Sequence, residues 1–427
     1  MQPFRSNTAL LLLFVLFTSQ QLAAQDHIGT AKRILREVPL IDGHNDLPWE
    51  LHQQVRGQLT EIDLRSNTSM REKPMHTDIP RLRAGGLGAQ FWSVYVPMRI
   101  AGPQAVKTVL EQIDLVERFT RQYDDTFEMA YTADDIVRIH RAGRIASLIG
   151  AEGGHSIDNS LAILRQLYDA GTRYMTLTHS DNTVWVDSAT DDPQHGGLAP
   201  FGEEIVREMV RLGMLVDLSH TSPDAMHDVL DLTPAPVIFS HSSARALTGH
   251  PRNVPDDVLR RLKDNGGIVM VTFVTVFVSE ERRVWSAEQG AEKKRLEALH
   301  PGDPDARQRA LEEWERQNLR PEATLEQVAD HIDHVRDVAG IDHIGIGSDF
   351  DGISTTPVGL GDVSTFPALF AELLERGYSE ADLKKIAGLN FLRVMLQAEQ
   401  ISAELRLTIA PSEVLFEELA DDTPIPR

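Results

Sequence analysis

Apolar positions in this chain of 427 residues come in short unbroken runs, each closed by polar residues and most followed by a stretch with helical spacing. Eight such runs follow one another: VPLIDGHND, AQFWSVYV, IASLIGAEGG, RYMTLTHSDN, GMLVDLSH, APVIFSHSS, GGIVMVTFV and HIGIGSDFDG. A run without alternation is what a strand buried on both faces requires, as in a parallel sheet covered by helices. Between the runs, SLAILRQLYDAG, FGEEIVREMVRLG and PDDVLRRLKDNGG repeat apolar residues at helical intervals, and the last two end at Gly, where helices stop. Eight strand-and-helix units predict a closed (β/α)8 barrel of the TIM type over residues 25–400. An open doubly wound sheet would carry a Gly-rich phosphate turn after its first strand, and DGHND is not one.

Residues 279–323 break the rhythm. They are densely charged, helical in composition and interrupted by His300-Pro301-Gly302. They follow the seventh run, on the face where such barrels keep their active sites, so a lid, a subunit contact and a solvated hairpin all remain open readings. Residues 401–427 read as a C-terminal appendage. At the other end, one cation, Arg5, precedes an apolar stretch from Ala9 to Phe17 and the small residues Ala23 and Ala24. That order is the signature of a cleaved secretory signal over 1–24, and it predicts a soluble exported protein, periplasmic or secreted, with no membrane anchor once the signal is removed. The sequence has no Cys, so stability must come from the core and from any bound metal. A formal charge of −22 repels phosphate backbones, and nucleic acid is not an expected partner.

Polar residues with metal-binding side chains collect where the runs end. His44 and Asp46 close the first, Glu152 the third, His179 the fourth, His220 the fifth, His241 the sixth, and Asp349 with Asp351 the eighth. A single His or Asp in such a place is usually satisfied locally by backbone groups. Several of them at the strand ends of one barrel converge above its core, where they would be costly unless a cation bound them. Imidazoles and carboxylates without thiolate suit Zn2+ or another divalent first-row ion, and the donors exceed one four-coordinate site. Two metals sharing a carboxylate fit better.

These stretches resemble the membrane (renal) dipeptidase family of binuclear zinc peptidases, through almost the whole mature chain. The resemblance is carried by IDGHNDLPW, EGGHSIDNSLAILRQLYDAGTRYMTLTHSDNTVW, VDLSH, FSHSSA, RNVPDDVLRRL, and IGIGSDFDG followed by NFLRV. It implies that His44 and Asp46 bind one Zn2+, His220 and His241 the other, and that Glu152 bridges the two. It further implies Asp349 as the proton shuttle for a bridging hydroxide, His179 as stabiliser of the oxyanion, and Arg252 as the clamp on the substrate's free carboxylate. Free dipeptides are then the substrates, those with a C-terminal D-residue included, and a homodimer is the implied assembly. Phe277 stands where some members carry Tyr, and His155 reads as structural. Phosphotriesterase-like and lactonase-like barrels resemble the chain in their paired metals but bridge them through a Lys on the fourth strand, and TLTHSDN has none. An amidohydrolase acting on lactones or N-acyl amino acids is the alternative reading. A binding relative without catalysis would have lost a ligand or the shuttle, and every position that can be matched is kept.

Overall fold

The unbroken apolar runs are covered on both faces in the computed structural model, which describes residues 26–420. Nine parallel strands form in chain order: β1 (Leu40–Asn45), β2 (Leu87–Tyr95), β3 (Phe127–Met129), β4 (Ile145–Glu152), β5 (Thr172–Thr176), β6 (Leu215–Asp217), β7 (Ile238–Phe239), β8 (Ile268–Val271) and β9 (Ile344–Ile346). Eight of them close a ring, because β2 pairs with both β1 and β4 while β1 pairs with β9. Each ring strand falls on one of the eight predicted runs, beginning at most two residues ahead of it, and the fold is the expected TIM barrel. The additional strand, β3, pairs only with the start of β4, Phe127 opposite Ile145. Its three residues, Phe127-Glu128-Met129, are too few for an apolar run or alternation to be recognised.

The alternation of side chains along each strand sorts the core into two layers. Ile41, Phe91, Leu148, Leu215, Ile238 and Ile268 belong to one cluster, joined by Phe391, Val394 and Met395 of the helix Asn390–Leu405. Their immediate neighbours Leu40, Trp92, Ile149, Val216, Phe239 and Val269 belong to the other, which includes the surrounding helices. The helix Asn390–Leu405 runs through residue 400, where the appendage was expected to begin, and the chain beyond it returns to the barrel with Phe416 against Phe201, centroids 5.3 Å apart. The predicted signal lies outside the described residues. Among the described residues no helix is long and apolar enough to cross a membrane.

Residues 279–323 form a helical hairpin. Its first helix, Glu280–Leu299, buries Arg282, Trp285 and Leu296; its second, Pro304–Gln317, buries no residue. Trp285 joins the two, its ring 5.7 Å from that of Trp314 and its indole N–H donating to the Asn318 carbonyl at 2.8 Å.

The loops at the C-terminal ends of β7 and β8 are tied together by His331, buried on the helix Leu325–Val338. Its Nδ1 accepts the Ala244 N–H at 3.0 Å and its Nε2–H donates to the Val278 carbonyl at 3.3 Å. The first bond needs the neutral ring, since a protonated Nδ1 cannot accept, and burial pushes the pKa of His331 down to about 4. The unfolded chain therefore binds this proton first, and the contribution of His331 is full above about pH 6.5 and lost progressively towards pH 4. His331→Gln removes that titration. We expect its unfolding free energy to vary with pH less steeply than wild type by up to about 1.4 kcal/mol per pH unit in that window. Parallel urea titrations with equal slopes would count against the assignment.

Candidate metal centre

Of the residues expected at strand ends, His44 and Glu152 lie within regular strands, and the others lie in the turns just beyond. Asp46 reaches His44 by a route other than strand alternation. The backbone leaves β1 at Asp46, which starts the helix Leu47–Val55 with φ −93° and ψ 22°, and that turn carries its Oδ2 to 3.3 Å from His44 Nε2. His220 and Asp349 take left-handed backbones, φ 72° and 65°. For residues other than Gly this costs about 1 kcal/mol or more, strain of a kind that clusters at functional sites.

Glu152 is the hub. Its Oε2 lies 3.3 Å from His44 Nε2, and its Oε1 lies 3.1 Å from His220 Nε2, 3.5 Å from His241 Nε2 and 3.7 Å from His179 Nε2. Three sets of donors have ligand atoms within 4.8 Å of one another: His44, Glu152 and His241; Glu152, His179 and His220; His44, Asp46 and Asp349. All the residues expected to hold metal are thus brought together, and His179 and Asp349 come within ligand range as well.

The donor set fits a cation on the evidence of its hydrogen bonds. Tyr174 donates its hydroxyl to the Gly43 carbonyl at 3.1 Å, so at 2.9 Å from His44 Nδ1 it can only accept, which puts the His44 proton on Nδ1. Ser240 likewise donates to Asp217 Oδ2 at 2.6 Å and accepts from His241 Nδ1 at 2.8 Å. The bare Nε2 of His241 then faces His220 Nε2 at 3.0 Å. Among the described residues, His44 Nε2, Asp46 Oδ1 and His220 Nδ1 are buried without a hydrogen-bond partner. Lone pairs and carboxylate oxygens turned towards one another in a buried pocket are the arrangement a divalent ion resolves.

The electrostatics agree. Burial and the nearby Arg252 cation hold His220 well below the usual imidazole pKa, and burial with His44 and Arg252 does the same for His241. Burial works against ionised Glu152, but His44, His220 and His179 outweigh it and keep the carboxylate charged. Asp349 behaves in the opposite way. Burial and the carboxylates of Asp46 and Glu152 raise its proton affinity well above that of an ordinary Asp, against the pull of His44 and Arg252.

Above the cluster lies a cavity of about 380 Å³ walled by Trp49, Tyr95, Arg252 and Phe277, a volume suited to a small molecule. Arg252 is buried there, its Nη1 donating to Ser242 Oγ at 3.3 Å and its Nη2 to the His241 carbonyl at 3.2 Å, with its guanidinium 5.3 Å from the Phe277 ring centroid. Two expected neighbours play other parts. Asp351 turns to the segment before the helix Ile79–Ala84, accepting the His76 N–H at 2.6 Å. His155 belongs to none of the donor sets. Sequence reasoning missed Tyr174, Ser240 and Asp217, which orient ligands, and gave no role to Trp49 and Tyr95.

Comparison with known proteins places this geometry. The sequence profile of the membrane dipeptidase family, peptidase family M19, matches residues 28–408. Dipeptidase verJ of Clonostachys rogersoniana is 41% identical over 418 residues, covering 95% of this chain and 96% of that protein. Dipeptidase 3 of Mus musculus is 41% identical over 393 residues, 91% of this chain and 70% of the mouse protein. Among solved structures, a metallopeptidase of Rhodobacter sphaeroides liganded with a phosphinate mimic of the dipeptide L-Ala-D-Ala superimposes with TM-score 0.69 at 27% identity, over 84% of this chain and 99% of that one.

With one carboxylate shared by two of the three donor sets, Glu152→Gln should weaken retention of divalent metal by more than about 100-fold, beyond the range of a change outside the ligands themselves. Metal analysis after dialysis against a weak chelator reads this directly. Retention equal to wild type would remove Glu152 from the centre.

Proposed function

Because the chain belongs to the membrane dipeptidase family, peptidase family M19, and is a metallodipeptidase of that family, we propose that it is a zinc enzyme hydrolysing free dipeptides, those with a C-terminal D-residue included. The observation that carries the proposal is the ring of imidazoles around the buried Glu152 carboxylate, beneath a cavity with a buried guanidinium. Glu152 with His44 and Asp46 would hold one Zn2+, and Glu152 with His220 and His241 the other. When bound, such a pair supplies Lewis-acid charge that polarises a peptide carbonyl and makes water acidic near neutral pH.

The chain's own residues do the rest. Arg252 receives the substrate's C-terminal carboxylate, since Ser242 and His241 engage only two of its five N–H groups and its Nε has no partner among the described residues. A clamp that reads a carboxylate is indifferent to the hand of the residue bearing it, and the L-Ala-D-Ala mimic bound by the Rhodobacter sphaeroides relative supports that tolerance. Asp349, whose surroundings favour a proton, takes one from the attacking water and delivers it to the leaving amine. His179 faces the cavity with its side chain 21% exposed and lends an N–H to the oxyanion of the tetrahedral intermediate. The hydroxide bridging two metals, the secretory signal over 1–24 with its periplasmic or secreted destination, and the homodimer belong to the same proposal.

Two substitutions separate binding from chemistry. Arg252→Ala should lower kcat/KM for free dipeptides by about 100-fold, the worth of roughly 3 kcal/mol of charged hydrogen bonding, and should leave the slow turnover of C-terminally amidated dipeptides unchanged. Asp349→Asn should lower kcat by about 100- to 10,000-fold with little change in KM. Initial rates with a panel of L,L- and L,D-dipeptides measure both. A sample holding two metals that cleaves none of them would defeat the proposal.

A further inference from the structure

Strand β5 supplies no candidate ligand, yet its two inward-facing residues support ligands contributed elsewhere, Tyr174 directly and Thr176 through Asp217. Tyr174 accepts from His44 Nδ1 at 2.9 Å and donates to the Gly43 carbonyl at 3.1 Å. Thr176 donates to Asp217 Oδ2 at 2.6 Å, the same oxygen that receives the Ser240 hydroxyl next to His241. A ligating imidazole is ordinarily oriented by a carboxylate or a carbonyl on its other nitrogen. His241 follows that rule through one serine. His44 instead is seated on a phenol.

The phenol is held in place tightly. Tyr174 and His44 are both fully buried, and the Tyr174 ring packs on Phe91 with centroids 5.0 Å apart. It lies directly over Gly150 of β4, where a Cβ would meet Tyr174 Cζ at 2.0 Å; only a residue without a side chain lets the ring pass beneath the ligand layer. The hydroxyl donates its one proton to the Gly43 carbonyl, so towards His44 its oxygen is an acceptor.

We propose that Tyr174 is a positioning residue that holds the His44 proton on Nδ1, so that Nε2 is the nitrogen presented to metal, and thereby sets the affinity of the metal position formed by His44, Asp46 and Glu152 independently of the other. This rests on the two-metal reading. The serine relay from Asp217 does the same for His241, so the two positions carry separate orienting devices and can be weakened one at a time.

The test is stepwise Zn2+ uptake by the metal-free full-length protein, followed by competition with a chromophoric chelator. Tyr174→Phe keeps the ring and removes only the oxygen. One of the two binding steps should weaken by about 10- to 100-fold, the range for such an outer hydrogen bond, while the other stays as in wild type. The unfolding midpoint of the metal-free variant should also stay unchanged. Ser240→Ala should weaken the step that Tyr174→Phe leaves alone. Two unchanged steps in Tyr174→Phe would overturn the inference. So would equal weakening of both steps, which is what a loosened core would give. Wild type that takes up no zinc would overturn the two-metal reading and the inference with it; two zinc ions in wild type with no dipeptide cleaved would defeat only the assigned substrate.

Discussion

A carboxylate 4% exposed at the mouth of an apolar barrel is the constraint from which the centre follows. Left alone, buried Glu152 would cost several kcal/mol or give up its charge. The chain meets it with four imidazoles, from β1 and the turns after β5, β6 and β7, the nearest at 3.1 Å and the farthest at 3.7 Å. Those imidazoles are themselves buried, and the pKa values of His179, His220 and His241 are depressed in consequence. Neutral rings cannot repay an ionised carboxylate in full. His44 alone goes the other way, its proton affinity raised against burial by Tyr174, Glu152 and Asp46, and a divalent ion bound there would supply the positive charge in place of that proton.

A parallel barrel suits this task because its strands end on one face, and every turn there can aim a side chain at the axis. The orienting groups Tyr174 and Asp217 sit on the strands themselves, where packing at near-crystalline density allows little rotation. Turns and strands divide the work: the turns supply reach, including the left-handed backbones of His220 and Asp349, and the strands, which carry His44, Glu152, Tyr174 and Asp217, supply rigidity.

Much of this was legible in the sequence because it depends on local pattern. Unbroken apolar runs give strands covered on both faces, and polar residues at their ends give the ligands, so the barrel and the convergence of His44, Asp46, Glu152, His220 and His241 could be read from one chain. What escaped depends on three-dimensional contact or on backbone angle. β3 is too short to leave a pattern. Asp46 turns inward because a helix starts there, which spacing alone does not distinguish from strand alternation. Tyr174 looks like any aromatic in a buried strand until the residue across from it proves to be Gly150, paired with it in register. The reach of His179 and Asp349 into ligand range follows from the curvature of turns that no run of letters encodes.

The hairpin of residues 279–323 adds a different property. Its outer helix buries nothing, and its inner helix contributes only three buried side chains. Such an element can exchange its amide hydrogens by detaching as a unit, with a free energy far below that of the barrel. Its root, though, is the short helix Thr275–Val278, which carries Phe277 against Arg252. Any such detachment would take place over a fixed base, leaving the reaction vessel beneath it closed in its present geometry.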